Sequence, residues 1–265
     1  MPTDRPTDRE DELGEEVEQE EELSGHMSFF DHLEELRRRI LNSLIAVGIG
    51  FVACYTFAED IFWIFRRLIE NAGGQLNQVS ITEGFTTELK MAFMAAIFLT
   101  SPFLLAQVWL FISPGLYQRE RKHALPFIFF SSILFVTGGL FGYFIALPFG
   151  IRFLLVDIGK EELGLTTILS VSEAFNLVFA LEVGLGVVFL IPALIYLLSR
   201  LGLVTGSFLL RNTKYAVLAC FILSALITPT GDIANMMIIA VPMITLYMLG
   251  VVIAFIFGKK RTKEA

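Results

Sequence analysis

Six apolar runs divide this chain, and most are long enough to cross a bilayer. A lipid-crossing helix needs about 20 such residues, because hydrocarbon offers its backbone polar groups no partner outside the segment itself. The runs extend from Ile40 to about Ile64, about Phe85 to Ile112, just after His123 to near Phe149, about Leu169 to Ser199, Tyr215 to about Ile227, and about Ile233 to Phe257. They predict an all-α integral membrane protein with six transmembrane helices. The fifth run is short, roughly 20 Å of helix against a 30 Å hydrocarbon core, so polar flanks snorkel or the bilayer thins there. The alternative is that Asn212, Thr213 and Lys214 extend this helix into the interface. Pro102, Pro126, Pro148, Pro192 and Pro242 each remove a backbone donor and predict kinks. Gly138 and Gly142 form a GxxxG pair that allows close backbone approach. Kinked helices of unequal length point to an irregular bundle with a concave face.

Charge sets the expected orientation. One set of loop ends carries Arg37, Arg38, Arg39, Arg119, Arg121, Lys122, Arg200, Arg211, Lys214, Lys259, Lys260, Arg261 and Lys263. The other carries Arg66, Arg67, Lys90, Arg152 and Lys160. The richer set belongs in the cytoplasm, which puts both termini inside. The outer loops are then about 70–82, about 152–168 and the tight turn 228–232. The net charge of -7 misleads, because 11 of the 27 acids fall between Asp4 and Glu22. Residues 1–26 read as a disordered acidic cytoplasmic tail, 27–258 as the transmembrane domain, and 259–265 as a basic cytoplasmic tail. The acidic tail lacks the apolar core of a secretory signal and the basic character of a transit peptide. Cys54 and Cys220 lie within apolar runs as small packing residues, and no disulfide is expected.

The segment before the first run carries the most informative chemistry. Ser28 and Asp31 have the form of a capping box, and Phe29, Leu33, Leu36 and Ile40 form an apolar stripe at helical spacing. Arg37, Arg38 and Arg39 are an ordinary anchor at a membrane edge. Glu34 and Glu35 beside them weaken that anchor. They pair locally, Glu34 with Arg38 and Glu35 with Arg39, or they receive a cationic partner at the headgroup layer. Local pairs of this kind are worth only a few tenths of a kcal/mol, a weak reason to hold acids there.

Several stretches match one family in order. They are the segment from His32 to Arg39, then Ser101-Pro102, then Gln107 through Tyr117 to Glu120-Arg121. Leu226 to Pro229 follows with Asp232 in the last outer turn, and then Ile239 to Met243. From about Ser28 to Lys260 the chain resembles the TatC family, the polytopic signal-peptide-binding subunits of the twin-arginine protein translocase. The resemblance implies a cup-like arrangement of six helices in the bacterial cytoplasmic (inner) membrane. It implies a receptor that binds twin-arginine signal peptides of folded precursor proteins for export driven by the proton motive force. Glu35 and Glu120 match the receptor carboxylates, with Arg37, Phe111, Pro114 and Tyr117 on the same surface. It further implies single-span TatA- and TatB-type partners, contact with membrane lipid, and a homo-oligomer within the complex. No cofactor, metal, nucleic acid or catalytic residue is implied. The physics suits the role, since an arginine presents a planar, permanently charged fork that a carboxylate accepts bidentately.

One departure concerns the interior. The family usually carries a glutamate two residues before the proline that is Pro192 here, and this chain has Leu190 at that position. It carries Glu182 instead, about two turns away and offset by about 80° around the helix. Glu182 reads as a hydrogen-bonded packing residue facing Gln107 or Ser224, or as a polar spot that docks a partner's helix. A proton-coupled small-solute transporter would also use an acid at this depth. Against that, the sequence shows no clear inverted repeat and no paired broken helices. An intramembrane enzyme is disfavoured, because His26, His32 and His123 lie at or beyond the membrane edge and no nucleophile or metal motif falls within a span.

Overall fold

The computed structural model describes residues 29–112, 124–152, 168–228 and 233–258. The expected tails, the Ser28 cap, Pro114, Tyr117, Glu120 and Asp232 lie outside these residues. The chain divides between Asn42 and Ser43. The described part of the first unit is helical throughout and belongs to α1, Phe29–Tyr55. The expected amphipathic segment and the first span are thus one continuous helix.

In the second unit α1 stops at Tyr55. Thr56 turns its hydroxyl back onto the Ala53 carbonyl, and the Phe57 amide donates to the Cys54 carbonyl. A separate helix, α2, Ala58–Asn71, follows. The first span was expected to run to Ile64, so this break corrects its boundary. Beyond the break the chain is amphipathic: Ala58, Phe65 and Ile69 are buried on one face of α2 while Arg66 and Glu70 pair at 2.7 Å on another. Glu59 and Asp60 sit in its first turn, where acids complement the helix dipole. Gly73, at φ 94°, ends α2, and the Gly74 amide donates to the Ile69 carbonyl, a left-handed helix stop that glycine adopts without strain.

Two short strands follow that the sequence did not signal. β1, Gln75–Asn77, pairs in parallel with β2, Ile168–Ser170, with Leu76 opposite Leu169. Three residues are too few to show an alternating pattern.

The remaining elements are α3, Glu83–Ile112; α4, Ala124–Phe141; a π-helical turn, Gly142–Ala146; α5, Leu147–Arg152; α6, Val171–Val188; α7, Ile191–Arg200; α8, Gly206–Arg211; α9, Thr213–Ile227; and α10, Ile233–Phe257. Prolines act where expected. Pro102 deprives the Phe98 carbonyl of its helical donor, and the Ser101 hydroxyl supplies one at 2.8 Å. Pro192 lies in the first turn of α7, and the fourth span, Val171–Arg200, runs as far as expected but is interrupted just before this proline, where α6 gives way to α7. The π turn precedes Pro148 in the third run, and the Leu147 amide reaches the Gly142 carbonyl.

Among the described residues, five segments are long and apolar enough to cross a membrane: His32–Tyr55, Glu83–Ile112, Leu125–Arg152, Val171–Arg200 and Met236–Phe257. The sixth, α9, has 15 residues and is about 22 Å long, so the fifth run is short as expected. Thr213 and Lys214 do extend it, whereas Asn212 stands at its cap. Large apolar side chains such as Ile49, Val52, Leu99 and Phe144 are exposed, as lipid-facing residues are. The largest buried cluster joins Phe65 and Ile69 of α2, Met91 and Met94 of α3, Leu147 of α5, Phe175 and Leu185 of α6, and Met243 of α10.

Candidate functional site

α1 carries Glu35 one turn before Arg39, so both side chains lie on one face. Arg39 Nη2 donates to Glu35 Oε1 at 3.0 Å. The matching Glu34–Arg38 pair, expected from the same spacing, does not form, and both residues are exposed. Glu35 differs from an ordinary surface acid in one respect. Its second oxygen, Oε2, is shielded from solvent and accepts no hydrogen bond from any described residue. One oxygen of the carboxylate is therefore committed to Arg39 and the other is unbonded among the described residues. Arg37 is exposed on the same helix. Phe111 is half-buried in the last turn of α3, next to the segment that holds Pro114, Tyr117 and Glu120.

Glu182 lies on α6 and is 3% exposed. Its carboxylate faces α4 and the π turn that follows it, where a Cβ added to Gly142 would stand 3.0 Å from Oε1 and one added to Gly139 would stand 3.3 Å from Oε2. Glycine at these positions makes room for the acid. Gly138 of α4 and Gly142 of the π turn thus pack closely on α6, and a Cβ added to Gly138 would stand 2.6 Å from the Leu185 carbonyl oxygen. Neither partner expected for Glu182 bonds to it. The Ser224 hydroxyl donates to the Met236 carbonyl, and Glu182 Oε1 has no hydrogen-bond partner among the described residues. The acid borders a cavity of about 360 Å³ between α2, α3 and α4, with Phe65, Met94, Phe98 and Tyr143 in its wall. A π turn adjoins it, a feature often found at functional positions. Leu190, the position of the family's usual acid, falls at the break between α6 and α7.

Two features escaped the sequence reading. Glu83, at the start of α3, ties the segment before α3 to the start of α6. Its Oε2 accepts from the Val79 amide at 2.7 Å and the Ser80 amide at 3.2 Å. Its Oε1 accepts from the Ser170 hydroxyl and the Ser172 amide. The signal was present as Ser80-Ile81-Thr82-Glu83, the capping-box spacing. Nearby, Lys90 Nζ donates to Asn176 Oδ1 at 2.6 Å and ties α3 to α6. The second feature is Arg200, whose guanidinium lies 5.6 Å from the ring centre of Tyr196 and 5.9 Å from that of Phe257. Tyr196 was readable one turn before it on the same helix, but Phe257 is too distant in sequence to have been paired with it.

The helices, their apolar exposed faces and the polar groups at their ends define a multi-pass membrane protein. Residues 31–242 match the family described as Sec-independent protein translocase protein (TatC). A TatC protein of Koribacter versatilis is 42% identical over 251 residues, covering 92% of this chain and 91% of that protein. TatCy of Bacillus subtilis is 34% identical, covering 90% and 93%. A crystal structure titled as the twin arginine translocase receptor TatC superposes with a TM-score of 0.73 at 33% identity, covering 84% of this chain and 97% of that one. A second, in DDM, gives 0.75. The chain belongs to the TatC family. It is a component of the Sec-independent, twin-arginine protein translocase, a transport subunit rather than an enzyme, and a multi-pass protein of the bacterial cytoplasmic membrane.

Proposed function

We propose that this chain is the receptor and scaffold of its translocase. It binds twin-arginine signal peptides of folded precursors on its cytoplasmic side and organises TatA- and TatB-type single-span subunits for export driven by the proton motive force. The observation that carries this reading is the unbonded, solvent-shielded Oε2 of Glu35, beside an Oε1 held in place by Arg39. A carboxylate positioned in this way accepts an incoming guanidinium with little reorganisation, and a guanidinium supplies two parallel donors where an ammonium supplies a point charge. Glu120 takes the second arginine. Arg37, Phe111, Pro114 and Tyr117 complete the seat of the peptide, and Asp232 marks the outer turn. Both termini face the cytoplasm, with residues 1–26 and 259–265 as polar tails around the transmembrane domain, and the chain works as a homo-oligomer in contact with lipid.

Glu182 serves the scaffold role. Its unbonded Oε1 and the adjoining cavity suit a polar side chain presented by a partner's single helix, a hydrogen bond worth about 0.6–2 kcal/mol in lipid. Photo-crosslinking tests the receptor reading. A twin-arginine signal peptide with a photoreactive residue beside the arginine pair should crosslink to this chain, and a twin-lysine version should not. Equal crosslinking of both peptides would remove the receptor role.

A further inference from the structure

Arg200 is the last residue of α7 and of its membrane-crossing segment, and Phe257 is the last residue of α10. The two aromatic rings beneath the Arg200 guanidinium, Tyr196 and Phe257, stand edge-on to each other at 5.7 Å. They continue a row across the bundle. Phe127 of α4 lies 6.5 Å from Tyr196, and Trp109 of α3 lies 4.7 Å from Phe127. Trp109 and Phe127 are buried between the helices, whereas Tyr196 is half-buried and Phe257 exposed at the ends of α7 and α10. Aromatic side chains at helix ends sit in the headgroup layer, which places the Arg200 guanidinium among phospholipid phosphates.

The guanidinium is half spent at most. It rests on two rings, its Nε is shielded from solvent without a hydrogen bond, and no carboxylate among the described residues pairs with it. A partly desolvated cation with unused donors calls for an anion. The neighbouring helix face supplies the rest of a lipid site. Val252 and Ile256 are exposed one turn apart on α10 and give the end of that helix, which carries Phe257, an apolar outer face suited to an acyl chain. We propose that Arg200, held by Tyr196 and Phe257, binds the phosphate of an anionic glycerophospholipid in the leaflet that the charge asymmetry assigns to the cytoplasm. Anionic lipids are favoured over zwitterionic ones because no headgroup amine competes for the phosphate, and guanidinium is favoured over ammonium because it grips two phosphate oxygens.

The full-length protein in mild detergent provides the test. Phosphatidylglycerol, phosphatidylcholine and inorganic phosphate are titrated separately at equal ionic strength, with bound lipid read by native mass spectrometry and stabilisation read by thermal unfolding. Phosphatidylglycerol should bind and stabilise well above phosphatidylcholine. Arg200→Gln should weaken phosphatidylglycerol binding about tenfold, the scale of one charge-assisted contact, and Arg200→Lys, which keeps the charge but loses the fork, should weaken it measurably but less. Arg66→Gln, which removes a cation at the other membrane edge, should leave it unchanged. If Arg200→Gln fails to fold, the Arg200→Lys comparison decides. Wild-type phosphatidylglycerol binding by either Arg200 variant overturns the site. Equal stabilisation by inorganic phosphate would make it a free-anion site and overturn the lipid assignment.

Discussion

Glu182 has no bonded partner for one oxygen in a setting where an ionised, unpaired acid costs roughly 2.5–3.5 kcal/mol on insertion scales. Replacing it with leucine should therefore not impair insertion. Under the scaffold reading, Glu182→Gln keeps crosslinking to a TatA- or TatB-like helix, while Glu182→Leu lowers it and leaves twin-arginine peptide binding intact. A Glu182→Leu protein that crosslinks partners and exports cargo at parental levels would take this acid out of the mechanism. Gly138 is a packing test of the same neighbourhood. A Cβ there would stand 2.6 Å from the Leu185 carbonyl oxygen and 2.9 Å from the Gly186 Cα, both backbone atoms. Gly138→Ala should destabilise the protein by about 1–3 kcal/mol through overpacking, read as a lower unfolding temperature in detergent. An unchanged temperature would mean that α6 gives way freely. What was legible at this scale depended on range. The Glu35–Arg39 pair follows from i,i+4 spacing on one helix, whereas the neighbours of Glu182 come from α4 and could not be read from its own helix. The same spacing failed for Glu34 and Arg38, because an exposed pair gains too little to hold two flexible side chains together.

Among the elements, the segments leading into α3 and α6 are held by one side chain. Glu83 accepts hydrogen bonds from four groups, from Val79 and Ser80 before α3 and from Ser170 and Ser172 at the start of α6. Glu83→Ala should expose those amides, so hydrogen exchange at Val79, Ser80 and Ser172 should accelerate while the buried helical amides around Phe175 stay protected. Unchanged exchange at all three would show that the β1–β2 pairing alone holds the loops. Run length and hydropathy located the spans because a bilayer imposes them. They failed where an element lies at the membrane edge. The break at Thr56-Phe57 and the separate α2 were hidden by Ile61 to Ile64, whose apolar side chains extend the run although they serve a separate, partly buried helix. The break before Pro192 was signalled by the proline but not its position. β1 and β2 carried no signal of their own.

For the whole molecule, the six-span topology makes a two-sided prediction. On a background of Cys54→Ala and Cys220→Ala, single cysteines at Gln118 and Gln75 should label from opposite sides of the membrane, Gln118 from the cytoplasm. Labelling of both from the outer face would contradict the charge-based orientation. Fold class was legible at this scale because apolar length and charge asymmetry follow from the solvent, and the family was legible because its motifs recur in order. The receptor chemistry was legible in part. Glu35 stood out as an acid among anchoring arginines, but its free oxygen needed coordinates to be seen. The most direct measurement is the affinity of the purified full-length protein for a twin-arginine signal peptide at low salt, alongside Glu35→Ala, Glu120→Ala and a tail control, Glu16→Ala. Each core variant should lose on the order of 1.5–3 kcal/mol of binding, the scale of a charge-assisted hydrogen bond, and the tail variant should match the parent. Parental affinity in both Glu35→Ala and Glu120→Ala would contradict the account.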